Sequence, residues 1–340
     1  MIAFLRRLVF GTDSGVPAVL SARPTADASA GAARWTAPVA PVSVAAFGPD
    51  AARALLEERV GRIERLFPAS AGGDARAVAA SFLEQPEAAI RQLPAAAQQA
   101  LALTQLDEPS MPRLVAAFER DPSLAQALLR HANSALHAAT GRPCYAVIEA
   151  LGRVGVAGAR QAVLSYSMEA LICRPGDPFA GMSRQVWEHM VRTATIARAV
   201  APGFGADPDE AASLALLHDV GKLMLFDRIA TLRSEWRREP VLPSDALRVL
   251  LRELHEPLGG LSMHRWSLGE TAAAAVAMHH RAPAPPGRHA LGETLYLAEA
   301  VDIAAERRAP LDLDALWQVG RLGGSAVRIE AVLRQLAIAA

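Results

Sequence analysis

The pentad His218-Asp219-Val220-Gly221-Lys222 places an imidazole, a carboxylate and an ammonium within five consecutive residues. Lys222 is the only lysine among the 340 residues, and every other side chain in the Lys and Arg set is arginine. Imidazole and carboxylate are metal ligands, and a compact ammonium suits a phosphate. Taken alone, the pentad equally describes a helix end with a neutral histidine, a capping aspartate, a turn glycine and a solvated lysine. Other groups extend it. His189 stands 29 residues before His218, His255 lies 36 after Asp219, the pair His279-His280 begins 24 further on, and Asp302 follows His280 by 22. Each falls in or beside a stretch of helical period, so helices packed side by side would aim these groups into one pocket. Imidazoles and carboxylates together suit a divalent metal such as Fe, Mn, Zn, Ni or Mg.

The elements that must position these groups read as helices throughout, and the chain is expected to be all-α. Residues 1–47 are dominated by Ala, Pro, Ser, Gly and Thr and are expected to form a disordered or flexible N-terminal extension. Its first ten residues, interrupted by Arg6 and Arg7, read as a frayed start, with a surface-lying helix or a twin-arginine signal as the alternatives. Residues 48–91 read as a helical lead-in, with Ala54, Leu55, Val60, Ile63 and Leu66 on one face and a second helical region broken near Pro86. Asp121-Pro122 is a helix start, a carboxylate cap followed by proline at the first helical position, and it leads to Asn133-Ser134. A turn at Thr140 to Pro143 separates this helix from Tyr145 to Leu151, and the Val154-Gly155-Val156 step leads into Gly158 to Ile172. After a linker with Pro175, Gly176, Asp177 and Pro178, Val186 to Val200 carries His189 and is stopped by Pro202 and Gly203. Asp207-Pro208 then starts the helix that leads to His218.

Composition narrows the function classes. There are 35 residues of each charge sign, so no global field draws the chain to nucleic acid or to an anionic membrane. Cys144 and Cys173 lack the spacing of a zinc ribbon or a disulfide framework, and no run is long enough for a membrane span, so a cytoplasmic protein is expected. Tyr145 to Met168 has the outline of a helix-turn-helix, but only Arg153 and Arg160 supply positive charge there. Trp187, Trp236, Trp266 and Trp317 read as core anchors, and His131, His137, His264 and His289 as surface or turn residues.

The order His, His-Asp, His, His-His, Asp resembles the ligand order of the HD phosphohydrolases and the HD-GYP phosphodiesterases. A closer likeness is to the HDOD family, the HD-related output domain of bacterial signalling proteins. It rests on Asp121-Pro122-Ser123-Leu124, Leu129-Arg130-His131-Ala132-Asn133-Ser134-Ala135, Ile148-Glu149-Ala150-Leu151-Gly152, Trp187-Glu188-His189 and the pentad. Trp266-Ser267-Leu268 and His279-His280-Arg281-Ala282-Pro283 complete it. The resemblance spans about residues 92 to 305 and implies a multi-helix fold of two packed helical halves: 92–175, and an HD-like half at 180–305, with C-terminal helices over 306–340. Asn133 and Ser134 would tie one helix end to the next. No Asp-Gly-x-Gly-Tyr-Pro segment follows His280, which argues against hydrolysis of cyclic di-GMP.

The resemblance implies that His189, His218, Asp219 and Asp302 form a primary metal site, with His255, His279 and His280 lining the same pocket, binding a second ion or holding a phosphate. Asp219 and Lys222 would be the groups nearest to catalysis. The function expected is bacterial signal transduction through a signalling-protein partner or a nucleotide-like ligand. The alternative is a metal-dependent phosphohydrolase acting on a nucleotide or phosphoester. Nucleic acid and membrane are not expected partners.

Overall fold

The computed structural model describes residues 47–67, 72–84, 89–134, 143–172, 178–280, 290–320 and 322–335. Apart from Phe47, the expected extension lies outside the described residues, as do Cys173, His137, His289 and the Arg281-Ala282-Pro283 end of the last motif. Among the described residues there is no strand. In chain order the helices are α1 (Pro49–Leu66), α2 (Ala75–Glu84), α3 (Ala95–Thr104), α4 (Met111–Glu119), α5 (Pro122–Ala132) and α6 (Val147–Ile172). They continue with α7 (Ala180–Phe204), α8 (Pro208–Ala215), α9 (Val220–Trp236), α10 (Ser244–Arg265), α11 (Glu270–Ala277), α12 (Ala290–Arg307), α13 (Leu313–Gly320) and α14 (Ala326–Gln335). No helix among the described residues is long and apolar enough to cross a membrane.

The chain divides into two compact units, one of residues 92–176 and the other of residues 1–91 together with 177–340. In the smaller unit, α5 packs on α6 and α3 packs on both α4 and α6. Asp121 caps α5 by accepting from the backbone N–H of Ser123 at 2.9 Å and of Leu124 at 3.0 Å. Asn133, at the other end of α5, donates to the Cys144 carbonyl at 2.9 Å and accepts from the Cys144 N–H at 2.8 Å, so its carboxamide ties the end of α5 to the approach to α6. Gly155 interrupts α6 with φ 66° and ψ −170°, a conformation open to glycine and costly for a residue with a Cβ.

In the larger unit, α7 packs against α8, α9, α12 and α14, and α10 packs against α1, α9 and α11. Close approach is built from small residues. A Cβ on Gly221 would meet the His255 carbonyl oxygen at 1.9 Å, and one on Gly260 would meet Ala277 Cβ at 2.8 Å. Ala272, Ala273, Ala274, Ala275 and Ala277 of α11 are all buried, which lets α11 and α10 approach along their length.

Three expectations are corrected. The buried face of α1 is Ala52, Leu55, Leu56, Val60 and Ile63 and continues to Phe67 just past the helix, while Ala54 is exposed and Leu66 is 50% exposed, because both fall off the row of residues three and four apart that faces the core. Helix α7 continues through Pro202 to Phe204 and stops at Gly205, which is left-handed at φ 72°. A proline so near a helix end removes one donor from the last turn without breaking it, and the glycine makes the stop. Of the four tryptophans, Trp266 and Trp317 are in the core, whereas Trp187 and Trp236 are half-buried.

Candidate metal centre

Five elements of the larger unit deliver the polar cluster. His189 sits in the middle of α7, His218 and Asp219 in the turn between α8 and α9, His255 on α10, His279 and His280 in the turn after α11, and Asp302 on α12. All are buried except His280, whose side chain is 12% exposed. Asp219 occupies the N-cap position of α9 but makes no cap hydrogen bond, which leaves its carboxylate to face the cluster.

The hydrogen bonds on the far side of each ring set its tautomer. Nδ1 of His218 faces the Ala215 carbonyl at 2.8 Å, Nδ1 of His255 faces the Leu251 carbonyl at 2.7 Å, and Nδ1 of His279 faces the Val276 carbonyl at 2.6 Å. A carbonyl only accepts, so each Nδ1 carries a proton and each Nε2 points inward, with a free lone pair wherever the ring is neutral. Nδ1 of His189 lies 2.6 Å from Asp302 Oδ2 in the same way. Burial works against charge on Asp302, but the bonds from His189 and Arg192 outweigh it and hold its carboxyl below the usual carboxylate range, so Asp302 accepts. With both rings neutral, the Nε2 atoms of His189 and His218 face each other at 3.1 Å with lone pairs opposed. Asp219 Oδ2 lies 3.7 Å from the first and 3.6 Å from the second. A cation among these three atoms relieves their repulsion. The circle through them has a radius of about 2.0 Å, the length of a bond from zinc to imidazole nitrogen or carboxylate oxygen.

The other oxygen of Asp219 faces a second group. Oδ1 lies 3.9 Å from His255 Nε2 and 3.8 Å from His279 Nε2, and none of these three buried atoms has a hydrogen-bond partner. With His280, they offer ligand atoms that all lie within 4.8 Å of one another. Burial opposes charge on His279, yet Asp219, Glu299 and Glu256 overcome it and push its pKa up to about 9. Burial, reinforced by the neighbouring imidazoles, drives His218 down to about 3 and His255 well below its ordinary value. Burial alone would raise Asp219, but Lys222 and His218 bring it well below the usual range. Neutral imidazoles at His218 and His255 beside an ionised Asp219 are the protonation state that binds a divalent ion, and an ion in the second group would displace the extra proton of His279.

Asp302, expected in the primary site, lies outside the clustered ligand groups, and it and Lys222 are each engaged with a partner. The Asp302 carboxylate supports the back of His189 and takes both arms of Arg192, from Nε at 2.8 Å and Nη2 at 3.1 Å. The ammonium of Lys222, buried on α9, lies 2.6 Å from Asp219 Oδ2. Glu299, buried 3.1 Å from His280 Nδ1, Glu256, and Arg192 were not singled out by sequence. The signal for two of them is helical spacing, Glu299 three residues before Asp302 and Arg192 three after His189, which puts each pair on one face.

The family model of the HDOD domain matches residues 90–282, more than half of the chain. The chain belongs to the HDOD family. Among proteins of curated function none matches it. Solved structures share the HDOD fold with it. An "HDOD domain protein with unknown function" from Geobacter sulfurreducens is 22% identical with a TM-score of 0.56, covering 77% of this chain and 93% of its own. A "putative metal-dependent phosphohydrolase" from Shewanella amazonensis SB2B is 18% identical with a TM-score of 0.55, covering 76% and 99%. A "putative signal transduction protein" from Marinobacter aquaeolei VT8 is 21% identical with a TM-score of 0.56, covering 86% of this chain and 65% of its own. At these identities the likeness is one of fold. In this HDOD protein, Glu299 and Asp302 lie beyond the matched span and α1 lies before it.

Proposed function

We propose that this HDOD protein is a signalling output module that acts by binding a signalling-protein partner or a nucleotide-like ligand, and that its HD-like half is held in shape by a divalent-metal centre. The observation that carries the metal reading is the 3.1 Å approach of two imidazole Nε2 atoms, each ring having an acceptor oxygen against its opposite nitrogen. His189, His218 and Asp219 would hold one ion; Asp219, His255, His279 and His280 would hold a second. Asp302, clamped by Arg192, would orient His189, the usual task of a carboxylate behind a ligating histidine. Lys222 would neutralise Asp219. The burial of the ligand side chains favours a structural or sensing centre over an open catalytic one.

A second reading, a phosphohydrolase acting on a nucleotide or phosphoester, is favoured by the way Asp219 turns one oxygen to each ligand group. A metal pair bound there would supply Lewis acidity and a bound water of near-neutral pKa. Elemental analysis of protein purified without added metal, followed by a phosphatase and phosphodiesterase panel, separates the readings. Bound Fe, Mn or Zn without turnover supports the signalling module, bound metal with turnover supports the enzyme, and a metal-free protein indifferent to added ions overturns the metal centre.

A further inference from the structure

Helix α1 lies outside the span matched by the HDOD model, yet Arg59, with Arg62 adding a 3.4 Å bond to Glu253, reaches the carboxylates that flank His255 of the second ligand group. Arg59, 13% exposed, places Nη1 3.0 Å from Glu253 Oε2 and Nη2 3.4 Å from Glu256 Oε2, both carboxylates being buried. These glutamates flank His255 on α10, two residues before it and one after. The other oxygen of Glu256, Oε1, accepts from the backbone N–H of His280 at 3.1 Å. Glu256 is therefore held at one oxygen by α1 and holds with the other the turn that carries His279 and His280. The outward residues Arg53, Glu57, Glu58 and Glu64 put the far side of α1 in solvent.

We propose that Arg59 is a positioning residue for the ligand group Asp219, His255, His279 and His280, so that ion occupancy there and docking of α1 are coupled. The inference rests on the metal reading given under Proposed function. A guanidinium spans two carboxylates at once, which a lysine ammonium on a longer, looser stem does not reproduce. Coupling is reciprocal: if α1 sharpens the ligand group, an ion bound there tightens α1. Occupancy of a buried centre then reaches an exposed, charged helix face, the kind of surface a partner protein can read.

The test uses the full chain, titrated with Mn2+ and Zn2+ under calorimetry, with hydrogen exchange followed over residues 49–66. The wild type is expected to take up two ions, and exchange in 49–66 is expected to slow when the second binds. Arg59→Lys should weaken the second ion by about 10- to 100-fold, leave the first unchanged and abolish the slowing. Arg59→Met with Glu256→Gln restores charge balance, so it should stay folded and still show the weakened second ion. Wild-type affinities in Arg59→Lys, recovery of the second ion in the double variant, or ion-independent exchange would each overturn the role of Arg59 while leaving the metal reading intact. Uptake of a single ion by the wild type removes the second group and the inference with it, and uptake of none removes the metal reading itself.

Discussion

At the scale of single residues, the pentad is explained by what each member touches. Gly221 is glycine because α10 passes over it: a Cβ would lie 1.9 Å from the His255 carbonyl oxygen, with backbone on the other side that no rotamer can relieve. Gly221→Ala should destabilise the protein by at least the roughly 1–3 kcal/mol typical of overpacking and push His255 away from Asp219. Denaturant unfolding and metal content measured on the same sample check this, and an alanine variant with unchanged stability and unchanged metal would refute the contact. Lys222 balances Asp219 at 2.6 Å in the interior, so Lys222→Met leaves a buried carboxylate whose remaining neighbours are imidazoles. Loss of one partner of a buried pair costs about 3–5 kcal/mol, and an ion bound at the same carboxylate offsets that cost. The melting temperature of Lys222→Met should therefore be low without metal and rise on metal addition by more than the wild type's. Equal shifts in the two proteins would contradict this role.

At the scale of elements, the segment joining α1 to α2 is clipped to the one joining α9 to α10. Asp74 takes both arms of Arg238, at 2.6 and 2.8 Å, and the Val241 N–H at 2.7 Å. The Arg238 bonds hold the Asp74 carboxyl below its ordinary value; burial opposes them, and the Val241 bond adds to the lowering. A lowered folded pKa means that the contribution to stability is full above the unfolded value of about 3.9 and is lost as pH falls through the lowered one. The stability gap between wild type and Asp74→Asn should be constant near neutral pH and close below about pH 4; a gap that persists in acid would refute it. Much of this level was legible in sequence. Asp121 and Asp207 cap the helices they announce, and Asn133 ties two helix ends, because caps and turns are set by neighbours in the chain. That these histidines and aspartates would gather in one place was legible for a different reason, the family likeness. What could not be read was set by partners distant in sequence: which face of α1 is buried, that Arg59 meets Glu253 and Glu256 nearly 200 residues away, and that Asp302 turns to His189 and Arg192.

At the scale of the whole molecule, the buried carboxylates Glu253, Glu256, Glu299, Asp219 and Asp302 lie in one unit, and all but Glu253 contact a histidine of the cluster. Arg59, Arg62 and Arg192 balance those at the edge, and Lys222 balances Asp219. What the arginines and Lys222 leave uncovered is the face of Asp219 turned to the neutral imidazoles of His218 and His255, and an ionised carboxylate held there in the interior is arranged for a cation. Asp219 stands at the middle of it, with an oxygen toward each ligand group. The most direct measurement is the metal content of the purified protein with its melting temperature, before and after chelation, beside Asp219→Ala. The account predicts at least one divalent ion per chain, a lower melting temperature on chelation that returns with the ion, and no bound ion in Asp219→Ala. A metal-free wild type whose melting curve ignores both chelator and added Fe, Mn or Zn would contradict it.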